Sequence, residues 1–165
     1  MEHATPRLYT NEVSPEFLQS LDKSHFTEQQ LADFHEDALA IVNQRQAYIN
    51  AHPPIAIYRV AAEGSQTRNG GVIQATTPME FKLDNGQQVR AAQKGDYAVY
   101  ADGSKAQIVA GTGEGNSHFA LVGSRLSNGD EIINTPQGGW VFIAREGALQ
   151  AEDFLPAIER VEKHQ

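Results

Sequence analysis

Ten residues with nearly the same punctuation occur twice in the chain, GSQTRNGGVI from Gly64 and GSRLSNGDEI from Gly123. Each opens on Gly-Ser, places Asn-Gly five residues after the first glycine, and closes on Ile. A third member, KGDYAVYADGSKAQIV, lies between them: Gly95-Asp96, an alternating apolar run, Asp102-Gly103, then Ile108, with a loop two residues longer. The leading glycines Gly64, Gly95 and Gly123 are 31 and 28 residues apart. A recurring unit of about thirty residues marks repeated supersecondary structure. Asn-Gly and Asp-Gly are preferred hairpin turns because these residues tolerate positive φ. The expected object is three β-hairpins arranged around one axis, burying their inner faces on one another and bringing all three turns to one end. The body then narrows into a cone whose tip turns are Asn69-Gly70, Asp102-Gly103 and Asn128-Gly129.

The sequence on either side has a different period. Ser14-Pro15 reads as an N-cap with proline at the first helical position, followed by Phe17, Leu18 and Leu21 on one face. Thr27 with Gln30 makes a capping box. From Leu31 to Ile49 apolar residues recur at three- and four-residue steps, which predicts one helix of about two dozen residues ended by His52-Pro53-Pro54. After Pro54 come eight short segments, IAIYRVAA, GGVIQATT, MEFKLDNGQQVRAA, GDYAVY, AQIVAG, HFALVG, DEIINT and WVFIA, divided by glycine-containing turns. Residues from Ala151 to His164 read as a short helix. The expected fold class is mainly β with helical extensions. Residues 1–56 form an N-terminal helical extension, 57–138 the hairpin cone, and 139–165 a strand and C-terminal helix.

Composition narrows the function. The 165 residues carry a formal charge of −8, which disfavours nucleic acid or an anionic membrane as partner, since phosphate binding needs a basic stripe. Without cysteine the chain has no disulfide, thiolate zinc site or cysteine nucleophile. MEHATPRLYTNEV has neither a basic n-region nor an apolar run, and no apolar stretch is long enough to span a bilayer, so no signal peptide is expected.

The order Gly-Ser…Asn-Gly-Gly-Val-Ile, Val-Arg-Ala-Ala-x-x-Gly-Asp and Ala-Leu-Val-Gly-Ser…Asn-Gly-Asp-Glu-Ile resembles the PAAR-repeat proteins, which sharpen the spike of bacterial type VI secretion systems. The resemblance covers residues 57–137, about half the chain. It implies a structural protein without catalytic residues that sits as a cone on a trimeric (VgrG-like) spike protein. It also implies membrane puncturing and delivery of effector cargo. Such a protein resides in the bacterial cytoplasm before assembly and leaves with the injection machine. The family's tip usually holds zinc through histidines and a cysteine at these turns. Here the matching positions are Asn69, Asp102 and Asn128, which make a poor zinc set. The expectation is a tip without metal or other cofactor, its turns cross-linked by these three short side chains. His118 is the one histidine within the β segment and a weak metal candidate; it reads better as a strand-surface or half-buried side chain, because one imidazole does not make a site.

The remaining signals are bland. GTGEGNS, from Gly111, lacks the lysine of a phosphate loop and reads as a flexible connector. Glu36-Asp37, Asp130-Glu131 and Glu152-Asp153 are adjacent carboxylates whose side chains diverge, so they read as solvated surface. The N-terminal helices expose enough apolar surface (Phe17, Leu18, Leu21, Phe26, Leu31, Phe34, Ile41, Val42) to need a partner. That partner is the flank of the cone or, in the sharper reading, an effector, adaptor or chaperone. The strand ends near Thr76-Thr77-Pro78 and Ala110-Gly111 are the expected spike contacts. Two rival functions stay open. A small-molecule or carbohydrate-binding β domain needs a pocket lined by aromatics such as Tyr97, Tyr100, Phe119 and Trp140. A small secreted hydrolytic effector needs His118 beside a nucleophile and an orienting carboxylate.

Overall fold

The structure is a computed structural model that describes residues 7–22, 27–148 and 154–155. It is mainly β, with several small antiparallel sheets and three helices among the described residues. The chain divides into two compact units. The β unit holds the described residues 7–11, 58–142 and 154–155; the helical unit holds 12–22, 27–57 and 143–148.

In the helical unit, α1 (Pro15–Ser20) starts where Ser14 Oγ accepts from the Phe17 N–H at 3.1 Å. The Thr27–Gln30 capping box opens α2 (Glu28–Ala32). The single long helix expected here is two. α2 closes at Asp33, and His35 Nδ1 accepts from the Asp37 N–H at 3.3 Å, capping α3 (Glu36–Ala51) with Glu36 and Asp37 in its first turn. A capping histidine followed by two acids beside the helix's positive end outweighs the continuing apolar period. No residue of the three helices is buried; of the expected apolar face, Ile41 is 67% exposed. The unit is tied by Arg145, whose guanidinium donates to both Asp22 carboxylate oxygens at 2.8 and 3.2 Å and to the His52 carbonyl at 3.1 Å.

Seven strands are formed among the described residues: β1 (Pro54–Arg59), β2 (Val72–Gln74), β3 (Glu80–Lys82), β4 (Gln88–Arg90), β5 (Tyr97–Val99), β6 (Lys105–Gln107) and β7 (Val141–Arg145). They make three sheets, β1-β7, β2-β5-β6 and β3-β4. HFALVG and DEIINT, expected as strands, join the others only through single bridges such as Gln93↔Phe119, Val60↔Leu121 and Thr67↔Ile132. Each of these segments changes partner within two or three residues, which is too short a pairing for a ladder. The expected C-terminal helix lies outside the described residues, apart from Phe154 and Leu155, which are both buried. Among the described residues no helix is long and apolar enough to cross a membrane.

The three repeats of the β unit make the same hydrogen bonds. Gly64, Gly95 and Gly123 donate to the carbonyls of Ile73, Ile108 and Ile132 at 2.8–3.0 Å. The next residue's side chain reaches back three positions each time: Ser65 to Ala62 N–H, Asp96 to Gln93 N–H and Ser124 to Leu121 N–H, at 2.9–3.0 Å. At the turns Gly70, Gly103 and Gly129 donate to Thr67, Tyr100 and Leu126, with φ of +92°, +87° and +88°. Only glycine takes that backbone conformation without steric cost, which explains the repeated punctuation.

Each repeat also pairs with both others. β2 lies antiparallel to β5, with Ile73 opposite Ala98. Ile108 bridges Leu126, and Ile132 bridges Thr67. Deeper in, Ala61 donates its N–H to Ala120, Ala120 to Ala92, and Ala92 back to Ala61, at 2.8, 2.9 and 2.9 Å. All three alanines have zero exposure. They share one apolar cluster with Ile73, Ile108, Ile132 and Leu126, against which Tyr100 packs. Three backbones can approach this closely only around side chains as small as a methyl group.

Candidate functional site: the three turns

The three turns that follow the alanine cycle are joined through one carboxylate, that of Asp130. It is 2% exposed. The Tyr100 hydroxyl, on the second turn, donates to its Oδ2 at 2.6 Å. From the first turn the Asn69 N–H donates to its Oδ1 at 3.1 Å, and Thr67 adds a side-chain hydrogen bond. On its own turn the Glu131 N–H donates to Oδ1 at 2.8 Å. Asn128 completes the set: its Nδ2 donates to the Tyr100 oxygen at 3.0 Å, and its Oδ1 accepts from the Asp130 N–H at 3.0 Å.

Local sequence places each member. Tyr100 stands two residues beyond Ala98 in the longer second hairpin and packs against the apolar cluster. Gly71 makes room for it: a Cβ there would stand 2.9 Å from Thr67 Oγ1, 3.0 Å from Tyr100 Cε1 and 3.1 Å from Ala98 Cβ. The double glycine of the first repeat thus combines a turn requirement at Gly70 with a packing requirement at Gly71.

Electrostatics follow from this geometry. Burial pushes the Asp130 pKa up, but the hydrogen bonds from Thr67, Tyr100 and the Glu131 and Asn69 amides outweigh it, and the net shift is downward. The Tyr100 phenol is pushed up, first by burial and then by its bond to Asp130. The neighbouring cations serve a different carboxylate. Arg68 and Arg125 approach Glu131 at 3.3 and 3.9 Å, and among the described residues Asp130 forms no ion pair.

The sequence-predicted tip residues fall on the turns but do not cross-link as a set. Asn128 does link two turns. Asn69 contributes its backbone N–H. Asp102 is a correction: its carboxylate accepts from the Ser104 hydroxyl and N–H at 2.6 and 2.9 Å, within its own exposed turn, and these bonds lower its pKa. Gly70, Gly103 and Gly129 occupy the turns as left-handed residues. The residues that do the cross-linking, Thr67, Tyr100 and Asp130, lacked a local signal. Asp130 sits in Asn-Gly-Asp-Glu and read as half of a solvated acidic pair.

His118 belongs to the connector between the second and third repeats. It is half-buried at φ +53°, and its carbonyl accepts from the Lys94 N–H at 2.7 Å. Among the described residues no group of three or more His, Asp or Glu is placed to hold a metal ion. The GTGEGNS connector is pinned rather than loose: Thr112 Oγ1 accepts from the Phe119 N–H at 2.9 Å and donates to the Asn116 carbonyl at 3.0 Å. Of the expected partner contacts, Thr76 and Pro78 are exposed, and Thr77, Ala110 and Gly111 are buried; Thr77 donates to the Ala91 carbonyl at 2.7 Å.

A second feature of the β unit collects aromatics near the residues that precede the alanine cycle. Trp140 meets Phe119 edge-on at a centroid distance of 4.7 Å, Phe81 at a tilt at 5.7 Å and Phe142 in a stack at 6.1 Å, and Phe154 bridges Phe142 and Tyr58. Beside it lies a cleft of about 410 Å3 whose walls include Tyr9, Phe81, Pro136 and Trp140. Of the four aromatics expected to line a pocket, Trp140 lines this cleft, whereas Tyr97, Tyr100 and Phe119 are not in its walls.

Comparison with known proteins gave no match: no family model, no curated protein and no solved structure aligns with the chain.

Proposed function

We propose that this chain is a PAAR-like spike-tip protein that caps the trimeric spike of a type VI secretion system or a related contractile injection machine. The observation that carries the reading is the hydrogen-bonded cycle Ala61–Ala120–Ala92, with one hairpin following each alanine. Three like segments around one axis fit a threefold-symmetric shaft, since a single chain then presents a similar surface to each of three subunits. In this reading the hairpins form a cone, the Asp130-centred turns are its point, and the aromatic cluster around Trp140 faces the shaft. The function is mechanical, a stiff narrow body that concentrates force on a membrane, with no catalytic step. The helical unit, whose Ile41 and Tyr48 are exposed, is the part available to cargo, an adaptor or a chaperone.

The test is stoichiometry. Native mass spectrometry of this chain mixed with a trimeric type VI spike protein should give one copy per trimer, and Trp140→Ala should weaken the complex while the circular dichroism of the free protein is kept. Absence of a complex, or three copies per trimer, would overturn the reading.

The cleft beside Trp140 favours a second reading, a small-molecule or carbohydrate-binding domain, because its volume falls within the usual range for ligand sites and aromatic walls are common there. That reading requires saturable shifts of the Trp140 indole signal on titration with a ligand, and binding lost in Phe81→Ala.

A further inference from the structure

We propose that the three turns are held by an anion seat: neutral donors from two turns and a backbone N–H of the third converge on one carboxylate position, which the chain fills with its own Asp130. The donors are Tyr100 O–H at 2.6 Å, Asn69 N–H at 3.1 Å, Glu131 N–H at 2.8 Å and the Thr67 side chain. Asn128 steadies Tyr100 from the far side at 3.0 Å. No cation takes part among the described residues, because Arg68 and Arg125 turn to Glu131. Charge-assisted hydrogen bonds to a buried carboxylate are stronger than neutral ones, and an unpaired donor left behind is costly. Four donors drawn together without an anion would be left unsatisfied, so the seat is a constraint on the turns as well as a bond between them.

The inference separates the turns from the rest of the β unit. The alanine cycle and the repeat hydrogen bonds around Gly64, Gly95 and Gly123 include no atom of Asp130. Emptying the seat should therefore release the turns and leave the cycle closed. Supplying a carboxylate from solution should close them again, whether or not the domain caps a spike.

The experiment is amide hydrogen exchange on the full chain carrying Asp130→Ala, with and without sodium formate, which supplies the lost carboxylate. The Asn69 amide, on another turn from the substitution, should exchange about tenfold faster or more. The Ala61, Ala92 and Ala120 amides should stay within about twofold of the parent. Formate at sub-molar concentration should restore Asn69 protection, and chloride at equal ionic strength should not. In Asp130→Asn, which keeps the shape without the charge, the Tyr100 phenol pKa should fall toward that of an ordinary tyrosine, read from its ring carbon shift. Unchanged exchange at Asn69, equal acceleration at the three alanines, or protection indifferent to formate would each overturn the proposal.

Discussion

Gly71 and Tyr100 are fitted to each other: the Cβ that Gly71 lacks would stand 3.0 Å from Tyr100 Cε1. Gly71→Ala should displace the tyrosine and cost about 1–3 kcal/mol, as overpacking does in dense interiors. Gly115→Ala, in open space, is the control and should cost less than about 1 kcal/mol. Urea denaturation midpoints of the two variants check this.

The alanine cycle predicts intolerance of larger side chains. Ala92 is wholly buried with its backbone bonded to two other repeats, so Ala92→Val should lose about 1–3 kcal/mol. Ala101→Val, on the exposed second turn, should stay within about 0.5 kcal/mol. Thermal unfolding separates them, and equal melting temperatures would show that the cycle does not confine its side chains.

Stability should depend on Asp130 at the acid end and on Tyr100 at the alkaline end. The folded pKa of Asp130 is depressed, so its contribution is present above the ordinary aspartate value, about 3.9, and is lost as pH falls through the folded value. The folded pKa of Tyr100 is raised, so its contribution is present below about pH 10 and is lost as pH climbs through the folded value. The charged groups facing the seat are Glu131 with Arg68 and Arg125, which pair with each other. The denaturation midpoint of the parent should exceed that of Asp130→Asn at neutral pH, and the gap should shrink below about pH 4.

In the helical unit, Arg145→Ala removes two bonds to Asp22 and one to the His52 carbonyl. A loss of about 1.5–3 kcal/mol is expected, as for hydrogen bonds to charged groups. Arg145→Lys should recover only part of it, because an ammonium cannot hold both carboxylate oxygens in the same plane. Amide hydrogen exchange over Pro15–Ser20 gives a local readout.

How much of this was legible in the sequence depends on the range of the force involved. Turn glycines act through their own φ angles, so Gly70, Gly103 and Gly129 announced themselves. The capping box at Thr27 is equally local. The break at His35 was hidden because a capping histidine is less familiar than serine or aspartate, and the apolar period runs on across it. HFALVG and DEIINT alternate like strands, yet their backbones divide their bonds among several segments, Ile132 for example between Ser124 of its own repeat and Thr67 of the first. The carboxylate seat was the least visible feature. It joins Thr67, Tyr100 and Asp130 across three repeats, and its key residue stands beside Glu131, where two acids in a row normally face water.

The cyclic pairing has a consequence for how such molecules behave in a crowd. Where the last repeat bonds back to the first, as at Ile132 and Thr67, the paired backbone groups are taken up within the molecule and are not offered to another. Very short strands would otherwise be inviting templates for fibril growth; curling back on one another withdraws the three repeats from that role.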